Sequence, residues 1–190
     1  MKIRLAILAS GNGTNAQRII EYFLDHTHIS VELVLSNNSN AFVLERAKNL
    51  NVPSIVFTRH ELNETGHVLD LLSVQGIDYL ILAGFLWLIP PSLLRHYPNR
   101  ILNIHPALLP KYGGKGMFGH HVHEAVLASG DTESGISIHL VNERYDEVRI
   151  LFQARCPVLP GDTPETLANR VHELEHQHYP VEIERYIMSE

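Results

Sequence analysis

The chain has 190 residues, 45% of them hydrophobic and 19% charged, which is enough apolar material for a domain with a sizeable core. Its 15 basic and 21 acidic residues give a formal net charge of -6, which argues against a protein that holds nucleic acid or an anionic membrane by bulk charge. The single cysteine, Cys156, excludes an internal disulfide and fits a reducing compartment, whereas the 13 histidines are a surplus that needs an explanation.

Apolar runs and amphipathic stretches alternate along the first half of the chain. The N-terminus begins in an apolar run too short for a signal core, and no run reaches the roughly 18 residues of a membrane span, so we expect a cytoplasmic protein. The predicted strands are residues 3–9, 29–35, 54–57, 79–83 and 101–104. The predicted helices are residues 14–25, 41–50, 60–74 and a short helix opened by Pro90-Pro91.

The second half begins with a loop and ends with a helix. Residues 105–119 hold two prolines and four glycines without periodicity, which is typical of a functional loop. A helix at 120–129 and strands at 136–141 and 150–156 follow. We expect the last helix to be capped by Asp162, with Glu165 three residues later as its partner, to run to about His178 and to be broken by Pro180. The pattern predicts an α/β fold: a Rossmann-like open, mostly parallel twisted sheet with helices on both faces, in a single domain over residues 1–190.

A glycine-rich turn joins the first predicted strand to the first predicted helix. In Ser10-Gly11-Asn12-Gly13-Thr14-Asn15, two glycines permit a tight turn and let backbone N–H groups approach a ligand. The helix N-terminus adds a partial positive charge, which favours a phosphate group. Ala16 replaces the third glycine of a dinucleotide fingerprint, and no Walker loop is present. The motif alone leaves phosphate binding and a plain strand-to-helix turn equally open.

Asn103 and His105 lie at the end of the fifth predicted strand, one residue apart, so both side chains face the same side of the sheet. Pro106 holds His105 in an extended conformation, and an amide beside an imidazole can stabilise an anion in acyl-type chemistry. An acid–base role for His105 needs a nearby carboxylate. Three residues could supply it, and their spacing does not choose among them: Glu143, Asp146 and Glu147. The alternative is that Asn103 and His105 only cap a strand end.

Two clusters of the remaining histidines have the residue types of a metal site. His172 and His176 are four residues apart, and residues 172–176 match by letter the His-Glu-x-x-His pattern of metalloproteases. Zinc also needs a third ligand and an open cleft, so we expect a solvated or partly buried helix face without a metal. The two clusters are His120, His121 and His123, and His172, His176 and His178.

The segment Asn103-Ile104-His105-Pro106-Ala107-Leu108-Leu109-Pro110 resembles the signature of the folate-dependent formyltransferases. The turn at residues 10–15 is similar to the branch of that family that acts on glycinamide ribonucleotide. The resemblance covers nearly the whole chain, and we expect neither the extra C-terminal domain of the methionyl-tRNA branch nor the extra N-terminal domain of the deformylases. Shorter matches are Leu82-Ala83-Gly84-Phe85, Lys111-Tyr112, Gly130-Asp131 and Pro160-Gly161-Asp162-Thr163.

The resemblance implies a reaction and the residues that carry it out. The formyl group of 10-formyltetrahydrofolate would pass to the amine of glycinamide ribonucleotide, giving formylglycinamide ribonucleotide and tetrahydrofolate in de novo purine biosynthesis. Asn103 and protonated His105 would stabilise the oxyanion, and His105 would protonate the leaving nitrogen. The family's acid lies fifteen residues after a Gly-Asp pair, which selects Asp146 to raise the pKa of His105 and to relay the amine's proton. No metal is implied.

The resemblance also implies a division of the binding residues. Residues 1–100 would be a phosphate-binding half, and residues 101–190 a catalytic and folate-binding half. Val148 stands where the family carries a glycine, so we expect a shifted folate loop and weaker folate binding. The substrate-binding set is Gly11, Asn12, Gly13, Thr14, Asn15, Pro106 and Glu175. The folate-binding set is Arg59, Leu86, Trp87, Leu88, Ile89, Asn103, Val141 and Asp146.

Two other functions stay open from the sequence. One is formyl transfer to another phosphorylated amine, such as an amino sugar nucleotide. The other is a phosphate-ligand binding module that keeps the fold without the chemistry. In each case we expect small-molecule ligands, no nucleic-acid or membrane partner, and a monomer or a weak homodimer.

Overall fold

The structure is a computed structural model that describes residues 2–114, 116–142 and 149–190. Its strands are β1 Ile3–Leu8, β2 Ile29–Ser36, β3 Ser54–Val56, β4 Tyr79–Leu82, β5 Ile101–His105, β6 Glu133–Leu140 and β7 Arg149–Pro157. Its helices are α1 Thr14–Phe23, α2 Val43–Asn49, α3 Arg59–Asn63, α4 His67–Val74, α5 Pro91–His96, α6 His120–Ser129 and α7 Pro164–Ser189. Most predicted bounds agree with these to within three residues.

The strands form one seven-stranded sheet in the order β3-β2-β1-β4-β5-β6-β7. β1 pairs in parallel with both β2 and β4, and the pairs β2–β3 and β4–β5 are parallel as well. The predicted α/β class with an open, mostly parallel sheet is therefore confirmed. The strand order reverses between β1 and β4, and ligands of open α/β sheets bind beyond the carboxyl ends of the strands at such a point.

The chain divides into two compact units. The first unit contains residues 2–103 and 140–142, and the second contains residues 104–139 and 149–190. In the first unit, residues Leu5 to Leu8 of β1 are fully buried, because a parallel strand covered on both faces needs a continuous apolar run. Each such leucine or isoleucine stabilises the fold by about 1.5–3 kcal/mol relative to an exposed one. The predicted halves 1–100 and 101–190 of a single domain stay a prediction.

Helix α7 supplies a long buried stripe to the second unit. Its fully or nearly fully buried residues recur every four positions, which places them on one helix face: Leu167, Val171, Glu175, Tyr179 and Ile183. Four of the five are apolar or aromatic, and the exception is a carboxylate. No helix within the described residues is long and apolar enough to cross a membrane.

The single helix predicted over residues 60–74 is wrong, because the structure has two helices there. Thr58 caps α3 in a capping box with Glu61, and α3 ends at Asn63. Gly66 precedes α4 with φ 74, in the left-handed region that ends a right-handed helix. The apolar periodicity continues across this break, so periodicity alone does not reveal it.

The predicted cap and end of the last helix are also wrong. Thr163, not Asp162, caps α7, and its capping-box partner is Thr166 instead of Glu165. Pro180 lies inside α7, which continues to Ser189. A proline within a helix costs about 3 kcal/mol. Two buried isoleucines beyond it, Ile183 and Ile187, together regain about 3–6 kcal/mol, so the helix continues through the proline.

Candidate active site

The glycine-rich turn of the first unit has the geometry expected of an anion-binding loop. Gly13 is the N-cap residue of α1 with φ 78, and as a glycine it has no side chain with which to cap this helix end. The N–H groups of a first helical turn have no partner within the helix, so such an end leaves donors for a ligand. A Cβ atom at position 13 would lie 2.4 Å from Cγ2 of Val43, so the turn has room only for glycine.

Arg46 of α2 holds this turn, although no sequence motif points to it. Its Nε donates to the Asn12 carbonyl oxygen at 2.8 Å, and Nη2 donates to Asn12 Oδ1 at 2.7 Å. Its Nη1 donates to Gln17 Oε1 on α1. The guanidinium therefore places a positive charge beside the turn. Arg46 is 34 residues from Asn12 in sequence, so no local signal indicates the contact.

Arg59 and Trp87, two residues of the predicted folate set, are in contact in the first unit. The Arg59 Cζ atom lies 4.7 Å from the Trp87 ring centroid, within the range of a cation–π interaction. Phe57 and Phe85 meet Trp87 edge-on at 6.1 and 6.4 Å between ring centroids. These three rings and the guanidinium form a compact aromatic group.

The other predicted folate residues of the first unit differ in exposure. Leu86 and Leu88 are exposed, whereas Ile89 is buried in the core. The Leu86 N–H donates to Ser10 Oγ at 3.0 Å, which ties this segment to the glycine-rich turn. Val141 packs against the same core, and its N–H donates to the Ile101 carbonyl oxygen at 2.9 Å.

Asn103 ends the part of β5 that belongs to the first unit. It is half-buried and lies opposite Leu82 of β4 in the parallel register. Both neighbours in β5, Leu102 and Ile104, are buried and apolar. A half-buried amide in such a strand needs hydrogen-bonding partners.

His105 is the last residue of β5 and belongs to the second unit. It is half-buried, and its Nε2 lies 2.7 Å from the Tyr112 carbonyl oxygen. Burial lowers the pKa of His105, while the hydrogen bond to Tyr112 and the Glu175 carboxylate oppose that lowering. The predicted effect of Asp146 is in the opposite direction, and Asp146 lies outside the described residues, as do Glu143, Glu147 and Val148.

Tyr112, whose carbonyl oxygen accepts the hydrogen bond from His105, has an unusual backbone conformation. Its φ of 55 lies in the left-handed region, which costs a residue with a side chain about 1–3 kcal/mol and persists only where the surrounding structure imposes it. The phenol Oη donates to Asp131 Oδ2 at 2.7 Å and contacts Ser129 Oγ. Lys111 Nζ also donates to Asp131 Oδ2, at 3.0 Å. The hydrogen bonds from Tyr112 and Lys111 lower the pKa of Asp131.

The segment that follows Pro106 is fixed by two side chains of the β6–β7 pair. Ser137 Oγ donates to the Ala107 carbonyl oxygen at 2.7 Å and accepts from the Leu109 N–H at 2.9 Å. Gln153 Nε2 donates to Ser137 Oγ at 2.7 Å and to the Leu109 carbonyl oxygen at 3.0 Å. Ser137 is fully buried, so the loop beyond His105 is hydrogen-bonded to a buried side chain.

Glu175 is the carboxylate on the buried face of α7, and it is only 4% exposed. His172 Nδ1 lies 2.7 Å from Glu175 Oε2, and this contact raises the pKa of His172. His123 of α6 is also buried, and burial with the nearby His172 lowers its pKa to about 4. Because Glu175 acts electrostatically on both His105 and His123, the second unit brings one buried carboxylate and three histidines together.

The two predicted histidine clusters have separate environments. His120 and His121 are exposed and lie near Glu124, whereas His172 and His176 stack with their ring centroids 6.2 Å apart. Within the described parts of the chain, no three His, Cys, Asp or Glu side chains are arranged to hold a metal ion. The expectation of a metal-free protein stays a prediction.

Comparison with known proteins places this chain in a family. The family model described as formyl transferase matches residues 3–183. A chloroplastic phosphoribosylglycinamide formyltransferase of Arabidopsis thaliana is 43% identical over 93% of this chain and 62% of its own length. The phosphoribosylglycinamide formyltransferase of Haemophilus influenzae is 35% identical over 95% of this chain and 85% of its own length. The chain thus spans less than two thirds of the plant relatives that it matches.

Solved structures agree with this placement. The structure of glycinamide ribonucleotide transformylase 1 from Geobacillus kaustophilus matches this one with a TM-score of 0.87 and 34% sequence identity. The match covers 96% of this chain and 97% of that chain. The structure of phosphoribosylglycinamide formyltransferase from Streptococcus pneumoniae matches with a TM-score of 0.85 and 37% sequence identity, over 98% of this chain and 99% of that chain. With a family match over most of its length and a fold shared with these structures, the chain belongs to the formyl transferase family.

Proposed function

We propose that this protein transfers the formyl group of 10-formyltetrahydrofolate to the amine of glycinamide ribonucleotide, in de novo purine biosynthesis. The relatives' names support this acceptor. The structural observation that carries the proposal is His105. It is half-buried at the carboxyl end of a parallel strand, and the carboxylate of Glu175 acts on it. Burial lowers the pKa of this histidine, while the hydrogen bond to Tyr112 and the Glu175 carboxylate favour its protonated form. A protonated histidine can give its proton to a leaving group.

The catalytic roles follow from the chemistry of formyl transfer. The amine nitrogen of glycinamide ribonucleotide attacks the formyl carbon, a carbon–nitrogen bond forms, and the carbonyl oxygen gains the electron pair. The Asn103 amide and protonated His105 stabilise that oxyanion. The bond between the formyl carbon and the folate nitrogen then breaks, and His105 gives its proton to that nitrogen. Asp146 takes the proton of the attacking amine through water.

The phosphate of the acceptor binds at the glycine-rich turn, residues Gly11 to Asn15. The N-terminus of α1, where the N-cap residue is a glycine, supplies N–H donors, and Arg46 supplies positive charge beside them. Pro106 and Glu175 contact the rest of the acceptor. A buried carboxylate suits this role because it can accept hydrogen bonds from ribose hydroxyls or from an amine.

The folate group is bound by the predicted set in the first unit, together with Asp146. Exposed Leu86 and Leu88 offer apolar surface to the pterin, and Arg59 beside Trp87 offers a cation to the acidic tail of the folate. The set also includes Ile89, Asn103 and the backbone of Val141. Apolar surface with a few polar groups is typical of sites for flat heterocycles.

We also propose a cellular compartment and an assembly state for the protein. We place it in the cytoplasm, since a single cysteine fits a reducing compartment, although the plant relatives are named as chloroplastic. We also propose that it acts as a monomer or a weak homodimer in a single domain of two halves. Sedimentation at increasing concentration tests the assembly, and a stable tetramer would contradict it.

Turnover with defined substrates tests the proposed function. Purified protein with 10-formyltetrahydrofolate and glycinamide ribonucleotide should convert the folate, as followed by its absorbance. We expect His105→Asn to lower kcat by on the order of 10²- to 10⁴-fold. His67→Asn, an exposed histidine at the start of α4, is the matched control and should leave kcat unchanged.

Three results would contradict the proposal. The first is no turnover by the unchanged protein when both ligands bind. The second is turnover only with an amino sugar nucleotide as acceptor, which would assign the protein to that substrate. The third is full activity in a folded His105→Asn variant.

A further inference from the structure

Tyr112 is linked to His105 at one end and to Asp131 at the other. Its carbonyl oxygen lies 2.7 Å from His105 Nε2, and its phenol donates to Asp131 Oδ2 at 2.7 Å. Neither Tyr112 nor Asp131 has a role in the proposed mechanism. The backbone of Tyr112 adopts φ 55, so its surroundings must hold it in a conformation that a tyrosine seldom adopts.

The contact at Nε2 decides which nitrogen of His105 carries a proton. A carbonyl oxygen can only accept a hydrogen bond, so Nε2 must be the donor. Nε2 therefore carries hydrogen in both the neutral and the protonated imidazole. The proton that His105 gains and loses is then the one at Nδ1.

We propose that Tyr112, held by Asp131, is a positioning residue that fixes the Nε2–H tautomer of His105 and leaves Nδ1 as the nitrogen that exchanges the catalytic proton. The catalytic part of this inference rests on the proposed function, whereas the tautomer does not. The link runs from the Asp131 carboxylate to the phenol, through the backbone of Tyr112 to its carbonyl oxygen, and so to the imidazole. Asp131 contacts neither substrate nor His105 in this scheme.

The anchor of the phenol is itself well supported. Ser129 Oγ accepts the Asp131 N–H at 3.2 Å and donates to the Val126 carbonyl oxygen at 2.7 Å, which fixes the end of α6 beside the phenol. Lys111 pairs with Asp131 and keeps its carboxylate ionised as an acceptor. Apart from Tyr112, the titratable groups that interact with His105 among the described residues are Glu175 of α7 and His123 of α6.

Nitrogen NMR of the histidine rings tests the tautomer without any turnover. In the unchanged protein above the pKa of His105, we expect the ¹⁵N shifts of a protonated Nε2 and an unprotonated Nδ1. Tyr112→Phe removes the hydroxyl group that binds Asp131. The Tyr112 carbonyl group should then be free to move, and the two neutral tautomers of His105 should both be populated. Loss of this hydrogen bond should also lower the pKa of His105 by about half a unit to one unit.

Substitutions at Asp131 separate a hydrogen-bond acceptor from a charge. Asp131→Asn keeps an acceptor for the phenol and should retain most of the tautomer preference, whereas Asp131→Ala should behave like Tyr112→Phe. Glu133→Gln is the matched control, because it breaks the exposed pair with Arg155 at 2.8 Å without touching Tyr112. It should change neither the NMR signals nor the kinetics.

Kinetics then test the catalytic consequence. We expect Tyr112→Phe to lower kcat by roughly three- to tenfold, to leave KM within about twofold, and to move the alkaline limb of the kcat profile to lower pH together with the NMR pKa, because His105 acts in its protonated form. Thermal unfolding of each variant confirms that it is folded. If Tyr112→Phe does not fold, Asp131→Ala serves the same purpose.

The outcomes distinguish this inference from the proposed function. An Nδ1–H tautomer in the unchanged protein would overturn the inference, and so would folded Tyr112→Phe and Asp131→Ala variants with unaltered His105 shifts and pKa. Absence of formyl transfer by the unchanged protein would overturn the proposed function, while the NMR result would still decide the tautomer.

Discussion

At the scale of single residues, Gly13 is a position where both the backbone conformation and a close neighbour call for glycine. Its φ of 78 disfavours a side chain, and Val43 leaves no room for one, because its Cγ2 atom would lie 2.4 Å from a Cβ atom at this position. We expect Gly13→Ala to lower the free energy of unfolding by about 1–2 kcal/mol from the left-handed backbone alone, with the clash adding to it. Gly11→Ala is the control for stability, since nothing lies within 4 Å of its Cβ position.

Denaturant unfolding of the two variants measures this difference. Equal stability of Gly13→Ala and Gly11→Ala would show that the turn can shift. We also expect Gly13→Ala to weaken binding of inorganic phosphate or the acceptor, because any such shift moves the N–H groups of the first helical turn.

Single residues also show where sequence reasoning succeeds and where it stops. The sequence predicts His105 at the carboxyl end of a strand, because strand alternation and the following proline are local signals. It does not predict Arg46 or Tyr112, since the contacts of these residues depend on how distant segments pack. Glu175 had a usable signal: it interrupts an apolar stripe of period four, which indicates a buried carboxylate.

At the scale of elements, the capping and burial of α7 outweigh the local sequence signals for where a helix begins and ends. We expect Thr163→Ala to lower the free energy of unfolding by about 1 kcal/mol, because Thr163 Oγ1 accepts the Thr166 N–H at 3.2 Å. Glu165→Gln should have little effect, although the sequence favours Glu165 as the capping partner. Chemical denaturation of both variants checks this, and a larger loss in Glu165→Gln would contradict the structure.

Asp162, at the same end of α7, forms an ion pair instead of the helix cap. It pairs with Arg170 at 2.8 Å, and this pairing holds the pKa of Asp162 well below its usual range. A carboxyl group with a lowered folded-state pKa adds stability at neutral pH and loses it as pH falls below about 4. We therefore expect Asp162→Asn to have a lower Tm at pH 7, with the difference from the unchanged protein narrowing in acid. A difference that is constant from pH 7 to pH 3 would contradict this.

The elements themselves were largely predictable from the sequence. The buried parallel strands appear as continuous apolar runs, which is why the α/β class and most bounds were correct. The break between α3 and α4 and the passage of α7 through Pro180 were not predictable, because each depends on a local conformation or on burial that periodicity does not contain.

At the scale of the whole molecule, the histidine surplus is divided among different environments. His105 and His123 lie inside the second unit with lowered pKa values, and His172 pairs with Glu175 and has a raised one. We expect turnover to be unchanged after dialysis against a chelator, because in the proposed mechanism Asn103, His105 and Asp146 stabilise the oxyanion and move the protons without a metal ion. Metal content by mass spectrometry and activity before and after dialysis measure this. Loss of activity that zinc restores would contradict it.

The contact between Arg59 and Trp87 has a practical consequence. Trp87 is the only tryptophan in the sequence, so all indole emission of the protein comes from one position beside a guanidinium. A ligand that draws Arg59 away from the ring, or that stacks near it, will change the intensity and wavelength of that emission. The unlabelled protein therefore carries its own optical probe of the proposed folate binding, and a titration in a fluorimeter can follow it without any turnover.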